Sequence, residues 1–235
     1  MHGNMERGAE YLEGLAAFVQ REYGLKALQT SPRIAPAKRG YYGETWRLDA
    51  ESGRFFLKLV DHSTQSAVYE ASFPVMEHLC EHGIDFISQA VKTKGGELFS
   101  RFGSATLGVF KWIDGENRQD AQTKAAEYRM LARVYAVPAE GLAISREDFS
   151  PSRAERFFEQ WKRLKSNPFQ ASAARIDALF AKNQAKIMRR AERLALFSKR
   201  CRGDDAGFCI THGDAGGNVI AKDSRYSLVD WDNPL

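Results

Sequence analysis

The residues best suited to chemistry stand near the end of the chain, in Phe208-Cys-Ile-Thr-His-Gly-Asp-Ala-Gly-Gly-Asn-Val-Ile220 and Tyr226-Ser-Leu-Val-Asp-Trp-Asp232. Two short apolar runs, 208–211 and 226–229, are expected as strands, each delivering a polar group at its end. Gly213, Gly216 and Gly217 lie between them and let the backbone turn tightly and approach a ligand closely. Such a return gathers Asp214, Asn218 and Asp230. Two carboxylates and an amide oxygen suit a hard cation such as Mg²⁺, which keeps several waters and shares its shell with phosphate oxygens. A carboxylate not tied to the metal can take the proton from an attacking hydroxyl. That division of labour is what phosphoryl transfer asks for, since its catalysis is chiefly positioning and charge neutralisation. Ordinary turn chemistry uses the same residue types, so the elements upstream must decide.

Those elements begin with an amphipathic helix over 5–23, with Leu12, Leu15, Val19 and Tyr23 at helical spacing and Gly24 as its stop. Strands follow over 33–38, 43–49 and 54–60, with Asp49-Ala-Glu-Ser-Gly53 as a hairpin turn. The connection Arg39-Gly-Tyr-Tyr-Gly43 carries two glycines, which is how a loop brings backbone amides over phosphates; a plain hairpin would use them as well. In Arg54-Phe-Phe-Leu-Lys-Leu-Val60, Lys58 stands among apolar residues, a costly placement unless its ammonium meets an anion. The helix expected over 63–82 places Val68, Ala71, Val75, Met76, Leu79 and Cys80 on one face, with Glu70 on an early turn and Pro74 as a kink or break. Phe86 to Lys92, a turn at Lys94-Gly-Gly-Glu97, Leu98 to Arg101 and Thr106 to Ile113 come next, and with them the expected sheet is five-stranded and antiparallel, ending at a turn, Asp114-Gly115. The remainder reads as helical. Residues 120–136 place Ala125, Tyr128, Met130, Leu131, Val134 and Tyr135 along one face, and Phe157, Phe158, Trp161 and Leu164 mark another helix. A long helix over 171–200 carries Ile176, Leu179, Phe180, Ile187, Ala191 and Leu194 as its expected buried stripe.

His212-Gly-Asp214, then Asn218, then Leu-Val-Asp230-Trp-Asp resembles the catalytic segment of the aminoglycoside phosphotransferase and choline kinase family, which is similar to protein kinases in fold. Val-Asp-Trp-Asp-Asn-Pro is closest to the spectinomycin phosphotransferase-like branch. The resemblance implies an α+β, protein-kinase-like fold in two lobes. Residues 1–113 would form a nucleotide-binding lobe, a five-stranded antiparallel sheet plus helix, and 114–235 a mostly helical lobe with the catalytic loop. Asp214 would be the catalytic base, Asn218 and Asp230 the Mg²⁺ ligands, and His212 a structural brace. Lys58, held by Glu70, would grip the α- and β-phosphates of ATP, as kinases do. The glycine-bearing loop with Tyr42 and Gly43 would cover the phosphates, and Lys111, Trp112 and Ile113 would receive the adenine. For Asp232 two roles are open, assisting the metal or capping its turn, and capping is the one expected. One departure stands out. In most of the family the asparagine lies one position further from the aspartate than Asn218 does from Asp214.

At 235 residues and 43% hydrophobic content, the chain can bury a sizeable core in one domain or two lobes. A net charge of +4 without a basic block is compatible with an anionic nucleotide ligand and is no footprint of nucleic-acid binding. Cys80, Cys201 and Cys209 are too few and scattered for a disulfide framework. No apolar run approaches membrane-spanning length, and residues 1–20 lack a signal-peptide layout, so a cytoplasmic protein is expected. The chain stops soon after Asp232, where members of the family continue with helices that build much of the acceptor pocket, so an incomplete helical lobe is expected. The expected function is transfer of a γ-phosphoryl group to a small hydroxylated acceptor, with ATP and Mg²⁺. A catalytically inactive nucleotide-binding or interaction module is the alternative, ahead of a metal-dependent hydrolase built on His212.

Overall fold

The computed structural model describes residues 7–29, 34–37, 43–61, 63–150, 152–165, 171–202 and 207–235. The expected loop residues 39–42, Tyr42 among them, lie outside these. The chain divides into two compact units, Met1–Ser145 with Cys209–Leu235, and Arg146–Phe208.

The first unit is built on an antiparallel sheet of β1 (Ile34–Pro36), β2 (Glu44–Ala50), β3 (Gly53–Val60), β4 (Ser100–Phe102) and β5 (Ala105–Lys111). Their order is β1-β2-β3-β5-β4, which puts β3 in the centre. Five antiparallel strands match the expectation, but 86–92 is not one of them. It contributes isolated bridges at Ile87 and Ala90, and the N–H of Val91 donates to the carbonyl of Val109 at 2.8 Å.

Both faces of β3 are covered, which is why the strand reads as a nearly continuous apolar run. Leu57 and Leu59 face a core shared with helix α1 (Ala9–Tyr23), which contributes Leu15, Ala16, Val19 and Tyr23. On the opposite face Phe56, Lys58 and Val60 stand across from Phe110, Gly108 and Thr106 of β5. Helix α2 (Ser63–Glu81) packs there through Tyr69, Phe73, Val75, Met76 and Leu79. The expected face of α2 holds for Val75, Met76 and Leu79, which are buried, and Cys80, half-buried, but not in the turns before them: Val68 and Ala71 are exposed, and Tyr69, Ser72 and Phe73 are buried. The bulk of the aromatic rings wins over the smaller aliphatics for the sheet face. Phe73 stacks on Phe110 with centroids 5.7 Å apart. Pro74 sits within a helix that continues past it.

A second, three-stranded sheet joins β6 (Glu116–Asn117), β7 (Val219–Lys222) and β8 (Arg225–Leu228) in that order. The hairpin is thus β7–β8, and 208–211 is not a strand. Instead, Thr211 exchanges main-chain hydrogen bonds with Leu235, at 2.8 and 3.2 Å. Cys209, within that apolar run, is half-buried. Helix α3 (Ala121–Tyr135) starts at Asp120, whose carboxylate accepts from the N–H of Thr123 at 2.7 Å, an N-cap. Its buried face is Thr123, Ala126, Glu127, Met130, Leu131 and Val134. Ala125 is exposed, and Tyr128 and Tyr135, also expected on the buried face, point outward, Tyr128 with 62% of its surface exposed.

The second unit packs α4 (Ser152–Lys165) on α5 (Ala171–Arg202). Phe157, Trp161 and Phe180 form its aromatic contact, and the indole N–H of Trp161 donates to Asp177 at 2.8 Å. The stripe expected to be buried on α5 is largely not: Ile176, Leu179 and Leu194 are exposed, and Phe180, Ile187 and Ala191 half-buried. One helix of 14 residues cannot cover both sides of one of 32. Among the described residues no helix is long and apolar enough to cross a membrane.

Candidate active site

Lys58 is the centre of the site. Its side chain leaves β3 on the α2 face, and the residue is only 6% exposed. The ammonium donates to Asp230 Oδ1 at 2.8 Å and pairs with Asp232 as well, residues 172 and 174 positions further along the chain. The anion that the apolar strand demanded is thus supplied from within the fold. Asp232 is therefore a partner of Lys58, not the turn cap that its position suggested.

Glu70 is not the partner. One turn of α2 directs it to the sheet edge, where its carboxylate accepts from Thr106 Oγ1 at 2.5 Å and pairs with Arg101 at 2.7 Å. The residue of α2 beside Lys58 is Tyr69, whose ring centroid lies 5.8 Å from the ammonium. This follows from the phase of the helix: once Tyr69 and Phe73 face the middle of the sheet, Glu70 is turned from Lys58 toward β4.

The aspartates are placed by the end of β8. The N–H of Leu228 donates to Phe86 O at 2.8 Å and that of Val229 to Asn218 O at 2.9 Å, which fixes the strand end before Asp230. Asp230 itself adopts φ +68, a left-handed conformation that a non-glycine residue holds only when its surroundings enforce it. His212 is buried and joins the two halves of the motif. Its Nε2–H donates to Val229 O at 2.9 Å, and its Nδ1 accepts from the N–H of Asp214 at 3.4 Å. With both ring nitrogens engaged in the fold, neither is left for a metal. Gly213 has φ +75, and a Cβ there would collide with the carbonyl oxygen of Asn233, so the loop turns only with glycine.

Asn218 Nδ2 donates to the main-chain oxygen of Asp214 at 2.7 Å. This bond engages the amide nitrogen and leaves the amide oxygen as the group available to a cation. Asp214 is exposed. Lys58, Asn218, Asp230 and Asp232 all line one cavity of about 480 Å³; Asp214 does not. Tyr69, Met76, Phe110, Lys111, Trp112 and Ile113 form much of its remaining wall. Gly43, expected beside the phosphates, has φ +81, and a Cβ on it would strike the carbonyl of Leu59. Among the described residues no three His, Cys, Asp or Glu side chains gather as a metal site.

The phosphotransferase enzyme family model matches residues 33–233. The chain belongs to this family. The phosphotransferase fold is also seen in solved structures. A spectinomycin phosphotransferase in complex with ADP and spectinomycin aligns with a TM-score of 0.75 at 19% identity, over 98% of this chain and 70% of that one. An aminoglycoside phosphotransferase from Alicyclobacillus acidocaldarius subsp. acidocaldarius aligns at 0.63 and 19% identity, over 85% and 64%. An amicoumacin kinase in complex with AMP-PNP, Ca²⁺ and Ami aligns at 0.56 and 14%, over 94% and 64%. At such identities the likeness speaks for the fold. Comparison with curated protein sequences finds no match.

In this phosphotransferase-family chain the two aspartates titrate apart. Burial pushes the Asp232 carboxyl up to about 6, helped by the Asp230 charge and opposed by Lys58. Burial acts on Asp230 too, but the Lys58 charge and the hydrogen bonds from Lys58 and Asp232 outweigh it and hold Asp230 below the ordinary range. Burial alone would lower the Lys58 ammonium, and the charges of Asp232 and Asp230 raise it above its usual value, so it stays charged. Burial also lowers His212, in keeping with a neutral ring that donates at Nε2 and accepts at Nδ1.

Proposed function

We propose that the chain transfers the γ-phosphoryl group of ATP to a hydroxyl of a small molecule, such as an aminoglycoside-like antibiotic, an amino-alcohol or a sugar. The observation that carries this reading is the convergence of Lys58 with Asp230 and Asp232 on a cavity that Asn218 also lines. A cavity of about 480 Å³ lined by apolar and aromatic side chains together with Lys58, Asn218, Asp230 and Asp232 suits a nucleotide. The donor set fits Mg²⁺, which takes one or two carboxylates and completes its shell with phosphate oxygens and waters. Asp230, with the amide oxygen of Asn218, would hold the ion, which supplies neutralisation of charge on the phosphate oxygens.

The chain's own residues divide the remaining work. Lys58 moves its ammonium from the aspartates to the α- and β-phosphates, a buried cation meeting the anion it is placed for. Ile113 is the residue at the end of β5 that reads the base edge, because the N–H groups of Lys111 and Trp112 are already bonded to Gln89 O and Arg54 O. Asp214, positioned by His212, accepts the proton of the acceptor hydroxyl while that oxygen bonds to phosphorus. The bond from phosphorus to the β–γ bridging oxygen breaks, and ADP leaves. In this reading 1–113 serves as the nucleotide lobe and 114–235 as the helical one. The free thiols of Cys80, Cys201 and Cys209 support a reducing, cytoplasmic setting.

A second reading, nucleotide binding without transfer, is favoured by the exposed Asp214 outside the cavity wall. ADP release measured against a panel of amino-alcohols and antibiotics separates the two. Asp214→Asn is expected to lower acceptor-dependent release about 100- to 10,000-fold while ATP affinity stays within about twofold. Unchanged turnover in that variant refutes the role given to Asp214.

A further inference from the structure

Tyr69 presents a polar atom that nothing in the fold explains. The residue is 3% exposed, and its hydroxyl has no hydrogen-bond partner among the described residues. A buried O–H without a partner is destabilising and calls for an account. The placement is built by the sheet. Gly108 stands across from Lys58 in the β3–β5 register, and the hydroxyl of Tyr69 occupies the space that a Cβ on Gly108 would take. A side chain at 108 would expel it. Tyr69 is also one of the residues lining the cavity with Lys58, Asp230 and Asp232, on the helix turn where a glutamate was expected, and its hydroxyl lies under the cavity wall beside Gly108. Neither carboxylate accepts from it. Burial first, then the nearby Asp232 charge, hold its ionisation far above the usual phenol value, so the group remains an O–H donor.

We infer that the Tyr69 hydroxyl is a further nucleotide-binding group, donating a hydrogen bond to a phosphate oxygen that Lys58 holds. The inference rests on the phosphotransferase reading above. A lone donor beside a buried ammonium matches an anionic oxygen: the cation draws the anion in, and the O–H completes its coordination without adding charge. An apolar ligand would leave the hydroxyl unpaired, and a cationic one would be repelled by Lys58.

Tyr69→Phe removes the oxygen alone and tests this by calorimetry with MgATP and with adenosine, beside the thermal midpoint of the ligand-free protein. Loss of one hydrogen bond to a charged acceptor is expected to weaken MgATP about tenfold or more. Adenosine affinity should stay within about twofold, and the ligand-free midpoint should hold or rise, because an unpartnered buried oxygen is gone. A lowered midpoint with equal losses for MgATP and adenosine would make Tyr69 a packing residue and overturn the inference. So would MgATP affinity unchanged from the unsubstituted protein. Absence of MgATP binding by the unsubstituted protein is a different result: it overturns the phosphotransferase reading, and this inference falls with it.

Discussion

Replacing Lys58 with methionine keeps an unbranched stem in the strand and deletes the ammonium that holds Asp230 and Asp232 together. Breaking one partner out of a fully buried ion pair costs about 3–5 kcal/mol, because a charge is left uncompensated. Here the two carboxylates are 49% and 33% exposed at their side chains, so water recovers part of that loss. Removing the buried ammonium also relieves its own desolvation. The balance is a destabilisation of about 1–3 kcal/mol at pH 8. For a chain of this size that is a fall in the thermal midpoint of about 2–12 °C.

The pH dependence is the sharper test. In the unsubstituted protein the two aspartates oppose each other. Asp232, raised to about 6, contributes stability that is present below its ordinary value and lost as pH rises through about 6. Asp230, held low, contributes stability above its ordinary value and loses it as pH falls. Without the ammonium both carboxyls are raised, by burial and by each other, and both contributions are lost as pH rises. The deficit of Lys58→Met should therefore shrink to under about 1 kcal/mol at pH 5. Urea unfolding at pH 5 and pH 8 measures both gaps. An equal deficit at the two values, or a larger one at pH 5, refutes the assignment of Lys58 as the shared counter-ion.

Other outcomes follow from the same geometry. Glu70→Gln should cost about 1 kcal/mol or less, since its partner Arg101 is largely solvated, and should leave MgATP affinity within about twofold; a loss as large as that of a Lys58 variant would restore Glu70 as the lysine's partner. Gly43→Ala should destabilise by about 1–3 kcal/mol in denaturant titration, because it combines a positive φ with a collision against Leu59; a neutral substitution would mean the turn relaxes freely. At alkaline pH, burial holds the Tyr23 hydroxyl at about 12, against the bond it shares with Ser100. Its contribution is present below the ordinary phenol value and is lost as pH rises through about 12, so melting points should fall between pH 10 and 12, and fall less in Tyr23→Phe.

Local patterns in the sequence carried what local physics controls. The hairpin at Asp49–Gly53, the continuous apolar run of β3 and the stripe Leu15, Val19, Tyr23 of α1 all express near-neighbour periodicity, and the structure keeps them. Patterns failed where two faces compete. On α2 both Val68–Ala71 and Tyr69–Ser72–Phe73 satisfy a helical repeat, and only the contact with Phe110 and the gap at Gly108 selects the second. On α5 an apolar stripe exists, but its burial depends on how much partner surface the unit holds. Among the described residues the apolar run at 208–211 forms no strand, and Thr211 exchanges its main-chain hydrogen bonds with Leu235 instead.

The same boundary runs through the site. That Asn218 and Asp230 stand near one another could be read from a short motif within one loop and hairpin, and Lys58 drew notice because a charge in an apolar strand must have a reason; the three line one cavity, and Asp214 of the same motif does not. The identity of its partner was not legible. Asp230 and Asp232 lie 172 and 174 residues from Lys58, and which carboxylate arrives there depends on the phase of α2 and the end of β8. Residue types therefore stated that a buried cation needed an anion. Only the packing of helix on sheet, which turned Glu70 away and brought Tyr69 in, settled which groups stand beside it.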